Sequence, residues 1–334
     1  MNNITAPHIR TEAASRHLTR DVLLTTLPLC IFSAVTYGVR PVLIVLFSIL
    51  SAIVSECVCC LFRRQSMQVI RDGSAAVTGA LIGLVMSPMV DYWVPMLGAA
   101  FAIIVVKAPF GGYGRNVFNP AAAGIAVLSY CFPQRMFTYP IASSMNPLPT
   151  GMSVGDEVVT SLSLAAQLRA DATPSITRMQ LILGDFAGPI GATATLLLVA
   201  CAVYLICRGT ISCWTVVPYF ATCALVAWLF PAAGVSRMYG VLAQVCAGYV
   251  LFTGVFLIND TVTTPRFWFA RLLYGVSAGV LVMLLQRIGR VECGCCFAIL
   301  LLNSIAPIMD RWSWYVWRYV TRFLRIRQEV KAHE

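Results

Sequence analysis

Apolar stretches long enough, or nearly long enough, to cross a bilayer follow one another along this chain, with short polar breaks everywhere but between the fifth and the sixth. Ten of them fall at 21–37, 41–62, 74–89, 92–107, 118–133, 187–207, 213–230, 237–257, 268–286 and 292–309. A transmembrane helix needs about 20 residues, and several segments fall short of that. Short segments interrupted by glycine or proline occur in both halves and predict broken helices around a central site. A soluble reading fails on surface chemistry. Apolar residues make up 59% of the chain and charged residues 11%, where an ordinary globular domain carries about 25% charged residues. Lipid must be the solvent for most of such a chain. The expected fold class is an all-α membrane protein of about ten transmembrane helices, in two five-helix inverted repeats flanking a long external loop.

The net charge of +10 does not point to nucleic acid, because the basic residues fall in short loops between spans. They set orientation instead, since cytoplasmic loops collect Lys and Arg. With the N-terminus cytoplasmic, inside segments hold 17 basic residues from Arg10 to Lys331. Outside segments hold 7, namely Arg40, Arg135, Arg169, Arg178, Arg237, Arg287 and Arg290. Both termini are therefore expected in the cytoplasm, with the chain in the cell inner membrane. The expected organisation is a cytoplasmic segment 1–20, a first repeat 21–133, an external loop 134–186, a second repeat 187–309 and a basic aromatic tail 310–334. A long irregular loop is a natural place for function. In the tail, Arg311, Arg318, Arg322 and Arg325 share one helical face among Trp and Tyr, which predicts an interfacial helix on anionic membrane lipids. Residues 1–20 carry no small-residue cleavage site, so no removable leader is expected.

The most informative stretch is Lys107 to Ala123, KAPFGGYGRNVFNPAAA. Gly111, Gly112 and Gly114 allow positive φ or close backbone approach, and Asn119-Pro120 marks a turn before the next span. At membrane depth such a loop survives only when buried in protein or lining a cavity. The stretch resembles the GG-x-G-x-N-x-FNPA signature of the RnfD/NqrB family, homologous subunits of the Rnf and Na⁺-translocating NADH:quinone oxidoreductase complexes. Pro7–Arg10 resembles the family's SPHIR segment, Asp72–Gly79 its DGSAxVTG and Asp260–Pro265 its TDxVTxP. Phe297–Asn303 with Pro307 and Asp310 resembles FAILLxNxxxPxID. The matches run in the expected order along the chain, and its compact length looks more like RnfD than NqrB. The resemblance places Gly112, Gly114, Asn116, Asn119, Pro120 and Asp260 in a flavin or gate environment.

By the same resemblance, family members carry FMN joined through its phosphate to a hydroxyl side chain, in a motif resembling D-x-x-[ST]-x-A-T. A flavin transferase makes this phosphoester, which calls for an exposed Ser or Thr. Here residues 155–166 read GDEVVTSLSLAA, and alignment with the family's VTSATPLAA puts Ser163 at the acceptor position. Leu162 stands where the family has Ala, Ser163 where it has Thr, and Glu157 lies six residues before Ser163. Thr173, in Asp171-Ala172-Thr173-Pro174, matches the ATP literally and is the alternative acceptor. Attachment at neither is the third reading.

Thirteen cysteines include two Cys-x-x-Cys pairs, Cys57/Cys60 and Cys293/Cys296, a spacing used for zinc or iron–sulfur ligation in soluble proteins. The topology puts the two pairs at opposite ends of spans, about 30 Å apart. Small apolar filler is the expected role, and no metal is expected. Glu56 lies within snorkelling reach of Arg63 and Arg64, while Asp260 closes span eight within the family motif and better suits a cofactor or ion site. His8, His17 and His333 all fall in the tails, against haem held by this chain alone.

The resemblance implies a subunit of a redox-driven, ion-translocating ferredoxin:NAD⁺ oxidoreductase that exports Na⁺ or H⁺. Its part would be electron relay through covalent FMN, with a non-covalent riboflavin within the membrane. The implied partners are the other Rnf subunits, ferredoxin and NAD⁺ through them, and the flavin transferase. Two rivals stay open. One is a quinone-reducing subunit of NqrB type, and the other is a channel or solute transporter of urea-transporter-like architecture without flavin.

Overall fold

The computed structural model describes residues 12–64, 67–112, 114–141, 148–151, 160–170, 176–231, 235–246, 249–288 and 292–333; the side chains of 12–15, 67–69 and 320–333 lie outside the description. Helices α1 (Glu12–Tyr37) and α2 (Arg40–Phe62) open the chain, and α3 (Ser74–Val85) follows. Helix α4 (Trp93–Phe101) runs on into a π-helical turn, Ala102–Lys107, before α5 (Pro120–Cys131) and the short α6 (Pro133–Met136). Strands β1 (Tyr139–Pro140) and β2 (Thr160–Ser161) pair antiparallel. The short helices α7 (Leu164–Arg169) and α8 (Arg178–Leu183) lead to α9 (Thr195–Cys207), α10 (Cys213–Leu229) and α11 (Arg237–Cys246). Helix α12 (Tyr249–Phe252) continues into a second π-helical turn, Thr253–Leu257. Helices α13 (Trp268–Ile288) and α14 (Gly294–His333) complete the chain.

Among the described residues, four helices are long and apolar enough to cross a membrane: Arg16–Tyr37 of α1, α2, α13, and Gly294–Tyr319 of α14. Helix α11 with the α12 run makes a fifth, bent by 60°. Helices α3, α4 with its π turn, α5, α9 and α10 are apolar but shorter. The chain is an all-α membrane protein, and these elements coincide with the ten apolar segments of the sequence.

Within lipid no hydrophobic force drives one helix against another, so close backbone approach counts heavily. Helix α3 shows this. A Cβ on Gly79 would sit 2.7 Å from the Ile49 Cα, and one on Gly83 2.7 Å from the Val45 Cα. The two glycines therefore let α3 lie directly on α2, where the Ser48 hydroxyl donates to the Gly79 carbonyl at 2.7 Å. Helix α10 packs on α13, α13 on α14, and the contacts α1–α9 and α5–α14 join the earlier helices to the later ones. Arg40, counted among the outer basic residues, is fully buried. Its guanidinium donates to the carbonyls of Pro88, Val90 and Thr150 at 3.1, 3.1 and 2.9 Å.

The tail, expected to form an interfacial helix, continues the last span without a break: α14 runs through Pro307 to His333. No glycine follows Gly294 to stop it, and a single proline in a helix removes one hydrogen bond without necessarily ending it.

Candidate functional site

Two chain reversals, one from each half, build the central site. The first begins where the π turn of α4 ends at Lys107. Gly111, Gly112 and Gly114 take φ of 111°, 95° and 87°, a region that L side chains avoid. The chain then returns to Asn119, whose side chain accepts from Ala122 N at 3.2 Å and caps α5. Pro120 takes the first helical position, where its missing N–H costs nothing. The Asn119 amide also donates to Leu257 O at 2.9 Å, the last residue of the second π turn. Oriented so that both of its ends find partners, the Asn303 amide of α14 accepts from Asn119 N at 2.9 Å and donates to the Tyr274 hydroxyl. In the second reversal Asn259 donates to Gly254 O at 2.9 Å. Asp260 accepts from Val262 N at 3.3 Å and from the Thr263 hydroxyl at 3.1 Å. Two motifs far apart in sequence, together with the end of the second π turn, thus meet at Asn119.

Between the reversals lies a cavity lined by Lys107, Asn116, Asn119, Pro120, Phe256 and Asp260, with α1 and Thr210 closing it. Asn116 and Asn259, which also line it, each keep a buried amide oxygen without a hydrogen-bond partner. Four of the residues singled out by sequence, Asn116, Asn119, Pro120 and Asp260, are brought together here. Gly112 and Gly114 are not among the lining residues. A Cβ on either would meet nothing within 4 Å, so they shape the loop through their φ angles and not by admitting a ligand.

Glu56 also differs from expectation. It is buried and pairs with Lys107, not with Arg63 or Arg64. Lys107 further donates to the Ser74 hydroxyl at 2.6 Å, and Ser74 is held by Asp72 through its backbone N–H at 2.8 Å and its hydroxyl at 2.6 Å. A buried charge is tolerable only when paired. Burial of both groups excludes water and forces them together, whereas Arg63 reaches the Ala108 carbonyl.

A second cluster surrounds Ser163. Pairing of β1 with β2 sets Tyr139 opposite Ser161, and the chain turns at once into α7, which Ser163 caps by accepting from Ala166 N at 3.1 Å. Ser163 is 2% exposed and donates to Glu292 Oε1 at 2.6 Å. Glu292 also accepts from the Tyr139 hydroxyl at 3.4 Å and lies 3.7 Å from the Arg169 guanidinium. Burial pushes the Glu292 carboxyl upward, against the pull of Ser163, Arg169 and Tyr139. The exposed acceptor expected at this position is thus a buried helix cap, drawn inward by the strand pair and by Glu292. Leu162 beside it is exposed. Thr173 and Glu157 lie outside the described residues.

Sequence reasoning passed over Glu292, Tyr139 and Arg169, which surround Ser163, and gave Lys107 no role. A carboxylate opening an apolar segment was the available signal for Glu292, but nothing local names a partner more than a hundred residues away.

A family model described as "NQR2, RnfD, RnfE family" matches residues 2–314. The chain belongs to this family. Similar members include the D subunit of the proton-translocating ferredoxin:NAD(+) oxidoreductase complex of Clostridium ljungdahlii, 27% identical over 92% of this chain and 93% of that one. The D subunit of the Na(+)-translocating ferredoxin:NAD(+) oxidoreductase complex of Acetobacterium woodii is 28% identical over 98% and 97%. That of the ion-translocating oxidoreductase complex of Alcanivorax borkumensis is 29% identical over 92% and 94%. Family membership spans both reversals around the cavity, the Ser163 cluster and Asn303.

Proposed function

We propose that this chain is the D-type membrane subunit of an Rnf-type ion-translocating ferredoxin:NAD⁺ oxidoreductase in the cell inner membrane, and that it holds two flavins. The observation that carries the reading is the cavity where the GG-x-G-x-N-x-FNPA and TDxVTxP segments meet, in a chain similar over nearly its full length to the D subunits of such complexes. Asn116 and Asn259 offer buried amide oxygens that still need a donor, and a riboflavin's ring N–H and ribityl hydroxyls are donors. Asn119 and Asp260 would orient it, and Phe256 would supply an apolar face. A bound flavin supplies stepwise one-electron exchange.

Ser163 is the proposed attachment point of FMN. Arg169, six residues on along α7, supplies a cation suited to a phosphodiester. Attachment would replace the Ser163–Glu292 hydrogen bond and leave Glu292 with its Tyr139 and Arg169 partners. Leu168, Arg169, Gln244, Met283 and Gln286 line an adjoining cavity that would receive the ring.

Flavin analysis of the complex purified from membranes tests the reading. The denatured subunit band should fluoresce, and the peptide bearing Ser163 should gain the mass of an FMN residue. Ser163→Ala should remove both signals while Thr173→Ala leaves them. Asn116→Leu should lower acid-extractable riboflavin several-fold and leave the band fluorescent. A complex free of both flavins would return the chain to the channel reading.

A further inference from the structure

Beside the Ser163 cluster, yet separate from both proposed flavin sites, the turn into α14 reads Glu292-Cys293-Gly294-Cys295-Cys296. The sulfurs of Cys293, Cys295 and Cys296 all lie within 4.8 Å of one another, with Cys293 and Cys296 3.2 Å apart. All three are buried, at 0%, 2% and 0% exposure. The backbone fixes them there. Cys296 N donates to Cys293 O at 3.0 Å, and Gly294 passes so close to α13 that a Cβ would meet the Leu285 Cβ at 3.0 Å. The Thr253 hydroxyl, at the start of the second π turn, lies beside Cys295 and is fully buried.

We propose that Cys293, Cys295 and Cys296 bind a single closed-shell thiophilic cation, Cu(I) or Zn(II). Apolar filler would not need three sulfurs converging on one point. A Cys293–Cys296 disulfide would use two and leave Cys295 beside them without purpose. Metal–sulfur bonds of about 2.3 Å place three sulfurs around one ion about 4 Å apart, a spacing these thiols reach with small side-chain rotations. Binding releases three protons and forms three metal–thiolate bonds, with no change of oxidation state. Soft thiolates select this class of ion over Mg²⁺ or Ca²⁺. Ligand number separates the two ions, for three thiolates complete Cu(I), whereas Zn(II) takes a fourth ligand, for which the Thr253 oxygen is placed.

Elemental analysis of the detergent-purified complex should find about one copper or zinc per chain. Cys293→Ser, Cys295→Ser and Cys296→Ser should each lower that content about tenfold or more. Cys201→Ser should not, since that thiol lies on α9 and donates to Thr25 O across from α1. Thr253→Val should lower zinc and spare copper. In case a variant fails to assemble, wild-type complex stripped with a chelator and reloaded with Cu(I) or Zn(II) alone should shield these three thiols from maleimide, as read by peptide mass. Absence of both metals from native and reloaded complex, metal content unchanged in all three variants, a Cys293–Cys296 disulfide in the native complex, or iron with acid-labile sulfide would each overturn the proposal.

Discussion

Asn119 does three things with one residue: its oxygen caps α5, its amide nitrogen holds Leu257 O, and its backbone N–H meets Asn303. Losing a cap costs about 1 kcal/mol, and stranding a buried carbonyl costs roughly 1–3 kcal/mol. Asn119→Ala should therefore destabilise the subunit by roughly 2–4 kcal/mol, seen as a lower melting temperature of the purified complex and weaker ferredoxin-dependent NAD⁺ reduction. Asn119→Asp keeps an acceptor for the cap but has no donor for Leu257, so its loss of stability should fall short of alanine's. Melting temperatures in the reverse order would show that a carboxylate set against Leu257 O costs more than the cap contributes. The residue's local role was legible, because a helix-capping Asn followed by Pro is a rule of neighbours. Its bond to Leu257, 138 residues away, was not. The same limit hid the Lys107 partner of Glu56 and the Glu292 partner of Ser163. Spacing along a chain says which groups are costly to bury, and only the fold says which ones meet.

At the scale of elements, two kinds of glycine behave oppositely. Gly112 sits at φ 95° with open space where a Cβ would go, so Gly112→Ala should cost about 1–2 kcal/mol of backbone strain and still assemble. Gly79→Ala would press a methyl onto the α2 backbone at 2.7 Å and should sharply reduce the folded subunit recovered from membranes. Size-exclusion profiles of tagged variants compare the two, and equal recovery would mean that α2 and α3 can separate without cost. The glycine-rich loop announced itself through composition. Helix α3 did not, since twelve apolar residues suit a short span or a buried core helix equally, and burial on all sides by α1, α2, α4 and α5 decided it. Both π turns were invisible in the sequence. Such turns often mark functional positions, and here each ends at the cavity.

For the whole molecule, the distribution of basic residues carries the orientation. If both termini are cytoplasmic, as that distribution predicts, a membrane-impermeant thiol reagent should label a Cys introduced at position 150 in intact cells and leave one at position 330 unlabelled. The exposed Cys131, Cys207 and Cys213 are replaced by Ser first. The opposite pattern would invert the protein and move the Ser163 cluster to the other side. The all-α membrane class was legible because burial in lipid leaves a long, contiguous imprint on sequence. The tail was legible as a helix but not as a direct continuation of the last span.

Helix α14 is 40 residues long, about 60 Å at 1.5 Å per residue, against a hydrocarbon layer about 30 Å thick. Even strongly tilted, it must leave the bilayer with several turns to spare. Its first turn carries Cys295 and Cys296, Asn303 stands about a quarter of the way along where it meets Asn119, and the remaining three quarters run on beyond it. A rigid rod of that length is a lever. A tilt of a few degrees about Asn303 would displace its far end by a few ångströms, so an event at the central cavity can be carried along the helix to its C-terminal end.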